Sequence, residues 1–165
     1  MICNSPHSPN TSAPNHGAST KLVAIQSRDY YLIMRQKTIL VVEDQPEIRR
    51  LIILTLNYRD FVFVEAETCE KGLLAVQNHI PDLVLLDIMT PGNLDGYDAC
   101  RALRLNPVTA RVPIIMLSAR GQKADFQFAV EAGSDAYLIK PFSPIKLIEI
   151  VEYWLAKPYE PRAEA

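Results

Sequence analysis

The sequence predicts an α/β fold in which five parallel strands form a doubly wound sheet. From residue 38 onward, short apolar runs alternate with amphipathic runs, which is typical of α/β domains. Residues 82–87, Asp-Leu-Val-Leu-Leu-Asp, form a nearly continuous Leu/Val run, as expected of a strand that helices cover on both faces. Right-handed crossovers fold such a chain into a doubly wound sheet, and the strand order 2-1-3-4-5 would place strands one and three side by side.

The alternating pattern predicts the elements in chain order. The predicted strands are residues 38–43, 61–64, 82–87, 112–117 and 136–139. The predicted helices begin at about Pro46, after Thr68, at about Gly96, at about Lys123 and after Ser143. The last four are expected to end at about His79, Leu105, Ala132 and Ala156.

Helix ends and helix faces follow from local chemistry. Pro46 suits a first helical position, and Thr68 is a predicted N-cap with Glu70 favoured in the first turn by the helix dipole. Ser143 is a second predicted N-cap, and Gly133 is expected to end the fourth helix. Helical spacing predicts that the buried faces of the first and last helices are Ile48, Leu51, Ile52, Thr55 and Leu56, and Ile145, Ile148, Val151, Trp154 and Leu155.

The composition is that of an ordinary globular domain. The chain has 165 residues, of which 48% are hydrophobic and 22% charged, and this length fits one domain with tails. A net charge of −2 gives no reason to expect nucleic acid or an anionic membrane as a direct partner. Cys3, Cys69 and Cys100 have no CxxC spacing, which argues against a disulfide framework or a zinc site. Because no run reaches the roughly 18 apolar residues of a membrane span, we expect a cytoplasmic protein.

The composition also divides the chain into three parts. Residues 1–36 are predicted to be a disordered or partly ordered extension, because residues 1–20 are rich in Ser, Pro, Asn and Thr. Residues 37–157 are the predicted domain, and residues 158–165 a short tail. Since nothing after Ala156 is long enough to be an output domain, we expect a stand-alone domain, unless the sequence is part of a longer protein.

Acidic residues stand where two of the predicted strands end. Glu43 and Asp44 follow the first strand, and Asp87 ends the third. Carboxyl ends of parallel strands meet at one edge of the sheet, where α/β proteins bind ligands. Three carboxylates in one crevice repel each other, and a hard divalent cation such as Mg²⁺ relieves that repulsion. Ser118 and Lys140 end the fourth and fifth strands at the same edge, which favours a functional site over isolated helix caps.

These residues resemble a response-regulator receiver domain, the phosphate-accepting module of two-component signalling. The resemblance covers about residues 37–157 and rests on the order and spacing of several short motifs together. The motifs are ILVVED at 39–44, DLVLLDIM at 82–89, DG at 95–96, IIMLSA at 114–119 and KPF at 140–142. The resemblance implies a flavodoxin-like sheet with the strand order 2-1-3-4-5.

The resemblance also implies the chemistry of the acidic site. Asp87 would be the phosphorylated aspartate. Asp44 would bind Mg²⁺ directly, Glu43 would contribute through water, and the backbone carbonyl of Met89 would complete the protein ligands. Phosphoryl transfer to a carboxylate needs these elements, because the cation neutralises charge on the transferred group.

The switch residues are implied in the same way. Ser118 would hydrogen-bond the phosphoryl group, Lys140 would pair with it, and Tyr137 would be the aromatic residue that moves with Ser118. The Lys140–Pro141 bond would be cis. The sequence departs from the family pattern in the loop after Asp87, which is one residue longer than usual and has Thr90 where Met is common.

We therefore expect a phosphorylation-dependent signalling switch rather than an enzyme, capable of self-phosphorylation from small donors and of autodephosphorylation. The donor would be a sensor histidine kinase or a phosphotransfer protein, and the output a contact with a downstream protein, with a homodimer left open. One alternative is a degenerate receiver that acts as a binding scaffold. Another is a Mg²⁺-dependent phosphohydrolase with an aspartate nucleophile. Such enzymes carry a second acid two residues after the nucleophile, where this chain has Met89.

Overall fold

The structure, a computed structural model, describes residues 35–119 and 123–157. The extension predicted over residues 1–36 lies almost entirely outside the described residues, as does the tail predicted over residues 158–165. The domain predicted over residues 37–157 is described except for the segment 120–122.

Five parallel strands form one sheet, in the order β2-β1-β3-β4-β5. They are β1 (Thr38–Val42), β2 (Val62–Ala66), β3 (Leu83–Asp87), β4 (Ile114–Ser118) and β5 (Ala136–Ile139). The predicted fold and strand order are confirmed. β2 runs beyond its predicted end at residue 64 because it pairs along all of β1, as far as Val42 opposite Ala66. β4 begins after Pro113, which has no N–H to give to a strand ladder.

Five helices connect the strands: α1 (Pro46–Leu56), α2 (Cys69–Asn78), α3 (Gly96–Leu105), α4 (Lys123–Glu131) and α5 (Pro144–Ala156). The predicted caps are present, since the side chains of Thr68 and Ser143 accept hydrogen bonds from the N–H groups of Lys71 and Lys146. Gly133 follows α4 with φ of 89°, a conformation that favours glycine. None of the helices within 35–119 and 123–157 is both long and apolar enough to cross a membrane.

Helices cover both faces of the sheet, and alternate strand residues supply the two cores. On one face, α1 and α5 bury Ile52, Leu56, Leu147 and Val151 against β1, β3 and β4. On the other face, α2, α3 and α4 pack against the intervening strand residues. β1, β3 and β4 are buried along their whole length. The central strands are therefore fixed on both sides, and so are the residues at their ends.

The predicted helix faces were wrong at two positions. Leu51 is 51% exposed and Ile145 is 69% exposed, although both were placed on buried faces. The buried pairs Ile52/Leu56 on α1 and Leu147/Val151 on α5 have the four-residue spacing of one helical face. Leu51 and Ile145 lie one and two residues before those pairs, so helical rotation of about 100° per residue turns them away from the core.

Candidate functional site

Three carboxylates meet at the carboxyl edge of the sheet. Asp87 is the last residue of β3, and Glu43 and Asp44 directly follow β1, its neighbour. One carboxylate oxygen from each residue lies within 4.8 Å of the others. Glu43 is fully buried, and Asp87 is buried as well. The predicted acidic cluster is therefore present, in a place where water screens the charges poorly.

Lys140, just after β5, joins two of these acids. Its Nζ lies 2.6 Å from Oε2 of Glu43 and 2.9 Å from Oδ2 of Asp87. Burial raises the pKa of Glu43, and the nearby Asp87 charge adds to that effect, while Lys140 opposes both. Burial alone would lower the pKa of Lys140, but its hydrogen bonds to Glu43 and Asp87 leave that pKa above its ordinary value. Lys140 thus pairs with two of the three acids, and the three carboxylates outnumber it.

Asp44 supplies the observation that tests whether a cation fits. Its Oδ1 is buried and has no hydrogen-bond partner among the described residues. An unpartnered buried carboxylate oxygen is costly, and a metal ion is one of the few groups that can satisfy it. All three side chains offer oxygen, which is the ligand type that Mg²⁺ prefers. The donor set therefore fits a hard divalent cation.

The other predicted residues lie on β4, on β5 and just after β5. Ser118 ends β4 and is buried, and its carbonyl accepts a hydrogen bond from the N–H of Lys140 at 2.7 Å. The Lys140–Pro141 peptide bond is cis. Tyr137 is half-buried in β5 opposite Met116, two residues before the strand end, and its ring meets that of Phe126 edge-on at 6.1 Å.

The loop between β3 and α3 carries Met89 beside the acids. The N–H of Met89 donates to Oδ1 of Asp87 at 3.3 Å, whereas the Met89 side chain is largely exposed. Gly96 opens α3 against the same strand end, because a Cβ there would lie 2.6 Å from the carbonyl oxygen of Asp87. The close approach of α3 to the acidic residue therefore requires a glycine.

The sequence did not identify the groups that hold this loop. Glu70 was predicted only as a favourable residue for the α2 dipole, and Thr90 only as a departure from a family pattern. In the structure, the Glu70 carboxylate accepts backbone hydrogen bonds from the loop, and Thr90 bonds to Cys69. Both contacts join residues more than twenty positions apart, so no local pattern could have predicted them.

Comparison with known proteins relates this arrangement to a family. The model of the response regulator receiver domain matches residues 39–152. Over 112 residues the chain is 38% identical to the phosphate regulon transcriptional regulatory protein PhoB of Pseudomonas aeruginosa, covering 68% of this chain and 48% of that protein. The chain spans about half the length of the curated relatives it matches.

Solved structures agree with the sequence comparison. A Chloroflexus aurantiacus protein described as a response regulator matches with a TM-score of 0.71 at 32% identity, covering 74% of this chain and 100% of that one. The receiver domain of a Pseudomonas aeruginosa sensor histidine kinase, solved with magnesium coordinated in its active-site cleft, matches with a TM-score of 0.69 at 30% identity over 74% of this chain and 100% of that one. With its acidic cluster, its lysine and these matches, the chain belongs to the response regulator receiver domain family.

Proposed function

We propose that the chain is a phosphorylation-dependent signalling switch that accepts a phosphoryl group on Asp87. The observation that carries the proposal is the position of Lys140, whose Nζ lies 2.9 Å from Oδ2 of Asp87 beside the buried, unpartnered Oδ1 of Asp44. A nucleophilic carboxylate, a cationic side chain and an oxygen-lined cation site are the groups that phosphoryl transfer needs. The donor is a sensor histidine kinase or a phosphotransfer protein.

The transfer step is a displacement at phosphorus. A carboxylate oxygen of Asp87 forms a new P–O bond while the P–N bond to the donor histidine breaks, and the electron pair of that bond leaves with the imidazole. Lys140 is already within hydrogen-bond distance of Asp87, so its ammonium group is placed to donate to a phosphoryl oxygen. Asp44, Asp87 and the carbonyl of Met89 would hold Mg²⁺, with Glu43 contributing through water, and the cation would neutralise charge on the phosphoryl group.

The signal then leaves through protein contact. Phosphorylation adds a charge of roughly −2 at Asp87 and new acceptor oxygens. Ser118 donates to one of them, and Tyr137 turns toward the space that Ser118 vacates. Tyr137 already contacts the exposed ring of Phe126 on α4, so its movement alters an accessible surface. A downstream protein, or a second copy of the chain, reads that surface.

Charge and thiol chemistry support two further parts of the proposal. The net charge of −2 favours a protein over nucleic acid as the direct partner of this chain. Cys69 and Cys100 are buried free thiols, which suits a reducing cytoplasm. Burial also raises the pKa of the Cys69 thiol to about 11, so this side chain stays protonated and apolar in its packing role.

The test is the intact mass of the protein after incubation with Mg²⁺ and acetyl phosphate. We expect the wild type to gain the mass of one phosphoryl group, and we expect Asp87→Asn to gain none because an amide is a poor nucleophile. Asp98→Asn is the matched control, since Asp98 is an acid on α3 whose side chain pairs with Arg101 outside the site. Chelation of Mg²⁺ should abolish the gain in both active proteins.

Two outcomes would contradict the proposal. Equal mass gain in wild type and Asp87→Asn would move the acceptor elsewhere. No gain in a folded wild type with Mg²⁺ present would favour the scaffold alternative, in which the acids and Lys140 serve binding alone. Circular dichroism on each sample checks that the variants remain folded.

A further inference from the structure

The loop that follows Asp87 rests on the first turn of α2. Oε1 of Glu70 accepts a hydrogen bond from the N–H of Asn93 at 2.7 Å and another from the N–H of Leu94 at 3.2 Å. One carboxylate oxygen therefore holds two consecutive backbone groups of the loop. Charge-assisted hydrogen bonds of this kind are stronger than neutral ones.

A second contact lies on the other side of the loop. Oγ1 of Thr90 accepts from the N–H of Cys69 at 3.2 Å and donates to Sγ of Cys69 at the same distance. Cys69 and Glu70 are neighbours on α2, so two adjacent residues bind the loop at two separated points. The segment between the two points has little freedom to move away from α2.

Gly92 lies between the two points of contact. Its φ of 130° is a conformation that favours glycine, and a Cβ there would meet both carboxylate oxygens of Glu70 at 2.6 Å. The loop backbone thus passes directly over the carboxylate, and the positive φ of Gly92 is what favours glycine at this position.

These contacts flank the backbone of Met89. On one side its own N–H donates to Oδ1 of Asp87, and on the other Thr90 is tied to α2. The base of the loop is closed by a hydrogen bond from the N–H of Gly96 to the carbonyl of Ile88 at 2.9 Å. The backbone at Met89 is therefore held from both directions.

We propose that Glu70 is a positioning residue, whose carboxylate holds the loop of residues 88–95 so that the Met89 carbonyl stays at the Mg²⁺ site. The inference rests on the proposed function, because it concerns the cation that the function requires. A loop of this length has many conformations to lose when the metal binds. Fixing it beforehand reduces that entropic cost.

At neutral pH the Glu70 side chain supplies both a charge and an acceptor oxygen. Hydrogen bonds from its own backbone N–H and from that of Asn93 lower the pKa of Glu70, so the group is ionised at neutral pH. An acid in a first helical turn also interacts with the helix dipole, and that interaction alone would stabilise α2 without affecting the metal. An amide can replace the acceptor oxygen that holds the loop, but it cannot replace the charge that interacts with the helix dipole.

The experiment is calorimetric titration of Mg²⁺ into the full chain and three variants. Glu70→Ala removes both loop hydrogen bonds, and we expect its dissociation constant for Mg²⁺ to rise about tenfold, as is usual when a group supporting a metal ligand is lost. Glu70→Gln keeps an oxygen acceptor but no charge, and should recover most of the affinity. Glu67→Ala is the control, because Glu67 lies two residues before α2 and its exposed side chain pairs with Lys71.

A second measurement follows the loop itself. Hydrogen exchange of the Asn93 and Leu94 amides should be faster in Glu70→Ala than in the wild type and in Glu67→Ala. Unchanged exchange would show that the hydrogen bonds do not hold the loop, and would overturn the inference.

The remaining outcomes distinguish a failure of the role of Glu70 from a failure of the proposed function. Wild-type affinity in Glu70→Ala, with normal phosphorylation of Asp87, would overturn the role of Glu70 and leave the function standing. A Glu70→Gln protein as weak as Glu70→Ala would assign the effect to helix charge and also overturn it. Failure of the wild type to bind Mg²⁺ would overturn both.

Discussion

At the amino end of the sheet, protein groups satisfy the acidic residues, whereas at the carboxyl end the acidic residues are in excess. At the amino end, Asp82 and Asp135 stand before β3 and β5, and at the carboxyl end Glu43, Asp44 and Asp87 stand after β1 and β3. The first group is satisfied by the protein itself, whereas the second has an excess of charge and an unpartnered oxygen. The same residue type therefore serves structure at one end and ligand chemistry at the other.

At the amino end, both acids accept hydrogen bonds from backbone N–H groups. Oδ2 of Asp82 accepts from the N–H of Thr38 at 2.8 Å, and Oδ2 of Asp135 accepts from the N–H of Ile114 at 2.7 Å. Each acid thus caps the first residue of a neighbouring strand. Arg104 then pairs with Asp135 at 2.6 Å, so charge and hydrogen bonds are balanced.

At the carboxyl end, the acids have too few protein partners to balance their charge. Lys140 is shared between Glu43 and Asp87, and no described residue satisfies Oδ1 of Asp44. Such an arrangement is unfavourable for folding, because like charges are close together and partly desolvated. An unbalanced acid cluster at a strand end therefore indicates a functional site, and substitutions at the two ends should change stability in opposite directions.

The largest expected effect is at Arg104. Its guanidinium donates to Asp135 and to the carbonyls of Gly133, Val112 and Ala110, and its side chain is mostly buried. Arg104→Ala would remove the cation that pairs with the mostly buried Asp135 carboxylate, together with hydrogen bonds to three carbonyls. We expect the free energy of unfolding to fall by about 3 kcal/mol in urea titrations.

Arg101 on the same helix is the matched control. It pairs with Asp98 three residues away, and both side chains are about half exposed. Because exposed ion pairs contribute little, Arg101→Ala should lower the free energy of unfolding by about 0.5 kcal/mol or less. Equal losses for the two arginines would show that the amino end is not a structural network.

A smaller effect of pH is expected at the carboxyl end. Burial raises the pKa of Glu43, so the folded protein holds this proton more tightly than the unfolded chain does. Its contribution to stability is present below the unfolded pKa, about 4.3, and is lost as the pH rises through the folded pKa. In Mg²⁺-free buffer, the wild type should therefore lose stability relative to Glu43→Gln across that interval.

Urea titrations of both proteins at a series of pH values give the comparison. The quantity compared is the free energy of unfolding of the wild type minus that of Glu43→Gln, because contributions from titrating groups common to both proteins cancel in it. We expect this difference to fall as the pH rises. A rise would mean that the pairing of Glu43 with Lys140 outweighs the cost of burying the Glu43 charge, and would contradict the prediction.

Much of the fold could be predicted because its signals are local. The bounds of α3 match the prediction, since the Asp95 side chain caps the helix by accepting from the N–H of Asp98 and the apolar spacing ends at Leu105. The faces of α1 and α5 were less predictable at Leu51 and Ile145. Which side of an apolar helix is covered depends on its neighbours in the fold, and the sequence of one helix does not contain that information.

The residues of the candidate site also include some that could be predicted from the sequence and one that could not. Glu43, Asp44, Asp87 and Lys140 could be brought together from sequence because parallel strands end at a common edge. Glu70 could not, because its contact with Asn93 depends on the path of a loop 23 residues further along the chain. Strand ends are placed by the sheet, whereas loop contacts are placed by their own conformation.

The stability of Asp44→Asn with and without Mg²⁺ tests most directly whether the carboxyl end of the sheet holds a cation. It is measured by urea titration beside the wild type and Asp82→Asn. Without Mg²⁺, Asp44→Asn should be about 1 kcal/mol more stable than wild type because one repelling charge is gone, while Asp82→Asn should be less stable. With Mg²⁺ at about 100 times its dissociation constant, the wild type and Asp82→Asn should each gain about 2.7 kcal/mol, and Asp44→Asn should gain little. An Asp44→Asn protein that is less stable than wild type without Mg²⁺, and gains as much as wild type with it, would contradict the claim that this end of the sheet is kept for a cation.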